Sequence, residues 1–226
     1  PFVTTRLYLD QTGDMEVLFE KVPYFKDLQS MRGTAHDKFW NSEYGQKQKT
    51  ERDHIYFGTV LEHILLQNLC AFYDVGEHNE MRLHGADWND ALDMAWEKGE
   101  SVAFTCAYAG NLRNIAKTLR QLEEISGSSK IEIAHEMEDL LAGSVELYED
   151  AARKQELLAG YAKKCEHNIS GDTIVVRLDQ LAANLEGKAD WMMKNIRANE
   201  WVKDGEDGWF NGYYAVSYTH LRAHET

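Results

Sequence analysis

The sequence predicts an all-α chain. Only two prolines interrupt its 226 residues. Apolar side chains recur at spacings of three and four over long stretches, and turn-like or polar segments separate them. Hydrophobic residues make up 43% of the chain and aromatics 11%, enough for a substantial core and too many for disorder.

Residues 2–22 read as a helix, a turn at Thr12-Gly13-Asp14 and a short second helix ending before Pro23, with Leu7, Leu9, Val17, Leu18 and Val22 as its apolar positions. Residues 24–52 are polar and aperiodic. They read as a long loop, and a loop of that length inside a compact domain is usually a functional lid or binding loop. Ile55, Leu61, Ile64, Leu65, Leu69 and Phe72 make 53–73 a strong helix. A helix over about 101–125 follows, capped by Ser101 or Glu100, with Val102, Cys106, Leu112, Ile115, Leu119 and Leu122 on its apolar side. Gly127-Ser128-Ser129 is a turn, 130–164 reads as a helical region bent near Gly143, and Asn168 to Asp172 is a second turn. The last long helix is expected over 174–198, and Asp204 to Gly208 is a loop leading into Trp209-Phe210.

The net charge is −14, with no Lys/Arg cluster to break the acidity, so neither nucleic acid nor an anionic membrane is an expected partner. No run of 18 apolar residues is present to span a bilayer. Cys70, Cys106 and Cys165 are odd in number and widely spaced. They suit buried thiols in a reducing, cytoplasmic compartment better than disulfides or zinc. Pro1 falls in what reads as mid-helix sequence, so residues 1–215 are expected to be an internal piece of a catalytic domain. Val216 to Thr226 resembles the translation of a sequencing-library adapter and is expected to be a non-native tail.

The chemistry concentrates in Arg82-Leu83-His84-Gly85-Ala86-Asp87-Trp88-Asn89-Asp90-Ala91-Leu92-Asp93. Asp87, Asp90 and Asp93 recur every third residue, which is also what a helix N-terminus wants for capping and for its dipole. Two features favour a site. Trp88 has no use in a cap but offers a flat wall for a sugar ring, and Gly85-Ala86 lets backbone approach a ligand. A general acid at this place must hold its proton against the helix dipole; neighbouring carboxylates and burial against Trp88 push the other way.

This segment resembles the catalytic loop of the inverting sugar phosphorylases of glycoside hydrolase family 94, the cellobiose phosphorylase group. The resemblance extends from Thr4-Thr5-Arg6-Leu7-Tyr8-Leu9-Asp10-Gln11-Thr12-Gly13-Asp14 through Thr59-Val60-Leu61-Glu62-His63 and Gly99-Glu100-Ser101-Val102 to Asp207-Gly208-Trp209-Phe210. It implies a partial (α/α)6 barrel of roughly three helical hairpins. It also implies Asp90 as general acid, Trp88 lining the sugar subsite, and Asp87 and Asn89 as supporting positions. The implied partners are a β-linked oligosaccharide and inorganic phosphate as co-substrate, with no other cofactor; a homodimer of the full-length protein stays open. The sugar and linkage stay open too: cellobiose, a longer β-glucan, chitobiose or a β-1,3-glucan all fit.

Other candidates are weaker. Glu62-His63 reads first as a polar helix face or a satisfied buried histidine, with a supporting role behind the substrate-binding residues as the alternative. Trp40, in a polar stretch, is a candidate for stacking on sugar, although such aromatics are more often core. Glu77-His78 and His36-Asp37 lack a third ligand at metal spacing, so no metal is expected. Two rival functions remain: an inverting hydrolase with Glu62, Glu77 or Glu100 as base, and a non-catalytic helical carbohydrate-binding or scaffold protein.

Overall fold

The computed structural model describes residues 2–26, 37–84 and 98–215, and the backbone alone at 221–222. Within them the architecture is mixed α+β, and the all-α expectation is corrected. Three antiparallel sheets accompany the helices: β1 (Lys21–Pro23) with β2 (Phe57–Thr59), β5 (Lys130–Ala134) with β6 (Thr173–Arg177), and a five-stranded sheet. That last sheet runs β3 (Met81–Arg82), β4 (Glu100–Ser101), β8 (Asp207–Tyr214), β7 (Trp201–Asp204), with β9 (Leu221–Arg222) also on β8.

The helices are α1 (Phe2–Thr12), α2 (Val60–Tyr73), α3 (Val102–Ser126), the single-turn α4 (Val145–Glu149), α5 (Ala151–Lys164) and α6 (Leu178–Asn199). Their ends follow local chemistry. Thr59 caps α2 by accepting from the Glu62 amide at 3.0 Å, and Ser101 caps α3 by accepting from Phe104 at 3.1 Å. Gly127 stops α3 in the left-handed conformation at φ +66°, where a side chain would be strained.

α3 and α6 form a long antiparallel pair: Cys106 meets Met193, Arg113 pairs with Asp190 and Arg120 with Glu186. Those exposed ion pairs contribute little. The burial of Leu112, Ile115, Leu119 and Leu122 against Leu181, Leu185 and Ala189, joined by Leu65, Leu69 and Phe72 of α2, is the stabilising part. The hairpin expected across the 127–129 turn, the 101–125 helix against a helical 130–164, does not form; α3 packs on α6 instead. Between α3 and α6 lies an excursion of β5, a 3-10 stretch (His135–Leu141), α4, α5 and β6.

The reason for the error is specific. Residues 130–164 and 174–198 each begin with a strand where a helix is expected. Ile131 and Ile133 are buried while Lys130 and Glu132 are exposed, a period of two. Ile131 pairs with Val176 and Ile133 with Ile174, so the β-branched run Ile174-Val175-Val176 belongs to a ladder. Lys21–Pro23, expected at a helix end, pairs with β2, and the expected loop at 204–208 is the turn of the β7–β8 hairpin. Among the described residues no helix is long and apolar enough to cross a membrane.

Candidate functional site

The motif residues Asp87, Trp88, Asn89 and Asp90 lie outside the described residues. What is described is the neck on which that segment stands. Met81 pairs with Ser101 and Arg82 with Glu100, and the Leu83 amide donates to the Gly99 carbonyl at 2.8 Å. The chain therefore leaves for the motif and returns from it at one place, the N-terminus of α3.

Buried carboxylates hold the neck. Glu100 accepts from the His78 amide at 3.1 Å, from the Glu80 amide at 3.0 Å, and is paired with His78 Nδ1 at 2.7 Å. Gly76 makes this possible, because a Cβ there would collide with the Glu100 side chain. The His78 ring lies flat on Tyr214, centroids 3.6 Å apart, and the Tyr214 hydroxyl donates to Glu200 at 2.9 Å. Asn211 Nδ2 donates to the same Glu200 at 3.0 Å. Glu80 is buried but poorly satisfied: Asn195 Nδ2 reaches its Oε1 at 3.2 Å, and among the described residues its Oε2 has no donor. Burial, reinforced by Glu200 and Glu100, pushes its pKa up to about 8. Nearer the motif, His84 Nε2 meets Asp74 Oδ2 at 2.7 Å, and Lys98 meets Glu77 at 2.9 Å.

Glu62 and His63 fit the plainer reading. Glu62 receives the Tyr24 hydroxyl at 2.7 Å, the Tyr56 hydroxyl at 3.1 Å and the Ala134 amide at 3.1 Å. Burial raises its pKa and those donors pull against the rise. Beside it, both tyrosines are pushed well above the usual phenol range, by burial first and then by the Glu62 charge. His63 stacks on Tyr24 at 3.6 Å, and its Nε2 lies 3.1 Å from the Val22 carbonyl. Together they tie α2 to β1, β2 and β5. Trp40 is half-buried, and its indole N–H donates to the Gly45 carbonyl at 2.8 Å. Its segment docks on 165–170 through Tyr44 to Asn168 and Asp37 to His167.

No family model matches the chain. A relative does. Over 129 residues the chain is 30% identical to solabiose phosphorylase from Paenibacillus borealis, a stretch that covers 56% of this chain and 13% of that protein. The likeness is to a phosphorylase of carbohydrate metabolism, and it supports an enzyme. The chain thus spans a small part of the length of this relative.

Sequence reasoning missed Glu80 and Glu200 as buried groups, and took Glu77-His78 as a failed metal pair, with Glu77 also a candidate hydrolase base. In the structure Glu77 and His78 diverge, one to Lys98 and the other to Glu100 and Tyr214. Among the described residues no group of three metal-ligating side chains forms. The signal for the neck was Gly76 beside three polar residues in a segment with no helical face, which marks a close backbone approach.

A cavity of about 520 Å³ runs along α2 from Glu62 to Asp74. Leu66, Cys70 and Asp74 line it at a spacing of four. Leu158, Tyr161, Ala162 and Cys165 line it from α5 at spacings of three and four.

Proposed function

We propose that this chain is a catalytic-domain segment of an inverting glycoside phosphorylase acting on a β-linked glucoside. Asp90 donates its proton to the glycosidic oxygen as the bond to the anomeric carbon breaks. An oxygen of inorganic phosphate attacks that carbon from the opposite face. The products are an α-sugar-1-phosphate and the shortened sugar. Trp88 supplies the stacking wall, with Asp87 and Asn89 supporting the loop, and phosphate is the co-substrate with no further cofactor.

The observation that carries the reading is the Asp87-Trp88-Asn89-Asp90 string, bracketed by a strand neck at the N-terminus of α3 in a chain similar to a phosphorylase. An inverting hydrolase needs a second carboxylate about 6.5–9.5 Å from the acid, free to activate water. The carboxylates expected for that part are engaged elsewhere: Glu62 by two tyrosine hydroxyls and an amide, Glu100 by His78 and two amides, Glu77 by Lys98. Phosphate, already an anion, needs no such base.

The test is phosphate-dependent release of sugar 1-phosphate by the intact enzyme. Asp90→Asn keeps the shape and removes the transferable proton, so phosphorolysis of an unactivated glucoside should fall roughly a hundredfold to ten-thousandfold. An aryl glucoside whose leaving group needs no proton should lose far less. Equal losses on both substrates would remove Asp90 from the acid role, and free sugar released without phosphate would replace the phosphorylase with a hydrolase.

A further inference from the structure

The chemistry assigned to Asp90 gives no part to the side chains that line the cavity along α2 and α5. Protein interiors leave few voids larger than a water molecule, and pockets of several hundred Å³ are the size of small-molecule sites. This one measures about 520 Å³. Glu136, which lines it, is 5% exposed; its Oε1 takes the Ser170 amide and hydroxyl at 2.7 Å, while its Oε2 is buried with no donor among the described residues. A buried carboxylate oxygen without a partner is costly and calls for an O–H or N–H from outside the chain.

The rest of the lining narrows the ligand. Tyr24, Tyr56, Tyr108 and Tyr161 provide aromatic surface, and Gln67 an amide. Lys26 Nζ, 6% exposed, is committed to the Glu166 carbonyl at 2.6 Å, the Cys165 carbonyl at 3.3 Å and Asp37 at 3.3 Å. It offers little to an anion, and Glu62, Glu136 and Asp37 repel one. The same fixed cation opposes a second positive charge. A wall carrying both signs, one unanswered acceptor and several aromatic faces suits an uncharged ring compound with hydroxyl donors.

We infer that the α2–α5 cavity is a binding site for a neutral, hydroxyl-rich ring of sugar size, with the Glu136 Oε2 accepting one of its hydroxyls. The inference uses described residues only and does not depend on the role of Asp90.

Saturation-transfer NMR and calorimetry on the full chain, with glucose, galactose and N-acetylglucosamine as probes and glucosamine and glucose 6-phosphate as charged controls, test it. At least one neutral sugar should bind in the millimolar range or tighter, ahead of both charged controls. Glu136→Gln removes the charge-assisted bond and should weaken that binding about tenfold. Leu66→Trp, which fills the cavity from α2 without touching Glu136, should abolish it in a protein whose circular dichroism and melting temperature show it folded. Trp88→Ala, which removes the stacking wall of the proposed phosphorylase site, should leave this binding unchanged while weakening phosphorolysis, which separates the two readings. Absence of neutral-sugar binding, preference for a charged control, or binding that survives Leu66→Trp would each overturn the site.

Discussion

Lys154 and Lys188 enter the core among Phe72, Tyr73, Tyr148 and Trp191; Glu80, Glu100 and Glu200 enter it behind the short strands β3, β4 and β8. Lys154 Nζ sits 4.1 Å from the Phe72 ring centre and 4.7 Å from that of Trp191, with Asn79 Oδ1 at 2.9 Å. Lys188 Nζ has the Ala142 carbonyl at 2.8 Å and Asn184 Oδ1 at 2.7 Å. Burial pushes both ammonium groups down to about 7. On the strand side, Glu100 meets two main-chain amides and His78, and Glu200 meets Tyr214 and Asn211. Glu80 has Asn195 Nδ2 at 3.2 Å, and burial drives its pKa up. The difference is one of partners rather than depth. Fixed amides hold a buried charge in place, whereas aromatic faces and one or two acceptors leave a lysine close to shedding its proton.

The sharpest way to break this comparison is Glu100→Ala. It strands the amides of His78 and Glu80 in a buried place and removes the partner of His78 Nδ1. Breaking a buried charge network costs roughly 3–5 kcal/mol, read as a lower urea midpoint at unchanged slope. A loss under about 1 kcal/mol would mean that the neck is held by its strands and that the carboxylate is incidental.

A smaller effect separates the two clusters by pH. Glu80 goes from an ordinary 4.5 to about 8 on folding. The folded state therefore binds the extra proton between those values. Its contribution is full below pH 4.5 and is lost as pH rises towards 8. Lys154 and Lys188 go from 10.5 to about 7, so their folded forms bind fewer protons and stability recovers as pH climbs from 7 to 10.5. In Glu80→Gln the first slope should vanish. The stability difference from the parent should grow by about 1 kcal/mol per pH unit between pH 5 and 8. Denaturation curves at pH 5, 6, 7 and 8 check this, and a constant difference across them would show that Glu80 keeps its charge when folded.

The same contrast explains what the sequence made legible. α2 from Val60 on, the Ser101 cap, the Gly127 stop and most of the apolar face of α3 were readable because each is written in near neighbours; the expected start of α2 at 53 gives way to β2, and Cys106, expected on the apolar side of α3, is exposed. Lys130–Ala134 was not, since five residues show a period of two barely twice, and their partner Thr173–Arg177 lies far along the chain. Two-residue strands such as Met81–Arg82 carry no period at all. At the site, Glu62-His63 was read as a polar helix face or a satisfied buried histidine, and the structure buries Glu62 and leaves His63 half-buried. Glu80 and Glu200 were not, because nothing local announces that a glutamate will be buried; that depends on Asn195, Asn211 and Tyr214. The string Asp87 to Asp90 was legible as chemistry by residue type alone, and its placement lies outside the described residues.

The smallest expected effect is Lys188→Met, and its smallness is the point. Lys188 is fully buried, a place where most replacements are costly. Three features argue otherwise. Methionine has nearly the same length and suits the gap among Phe72, Tyr73 and Tyr148, where sulfur–aromatic contacts are favourable. The Ala142 carbonyl keeps a donor, since the Tyr73 hydroxyl also reaches it at 2.9 Å. Asn184 Oδ1 loses its partner, but the Nδ2 of the same amide still donates to the Leu141 carbonyl at 2.7 Å. Replacing a desolvated cation with an apolar side chain of similar volume is often neutral or stabilising. The change at pH 8 should therefore stay within about 1 kcal/mol of zero. Between pH 10.5 and 7 the unfolded chain charges Lys188 while the folded parent keeps it neutral, so the variant should gain on the parent as pH falls through that window and hold the gain below pH 7. A thermal-melt series from pH 10 to pH 6 measures both. A large loss at pH 8 would show that the bonds to Ala142 and Asn184 outweigh the cost of burying the ammonium, and the lysine box would then belong with the glutamate neck as a charge held by its partners.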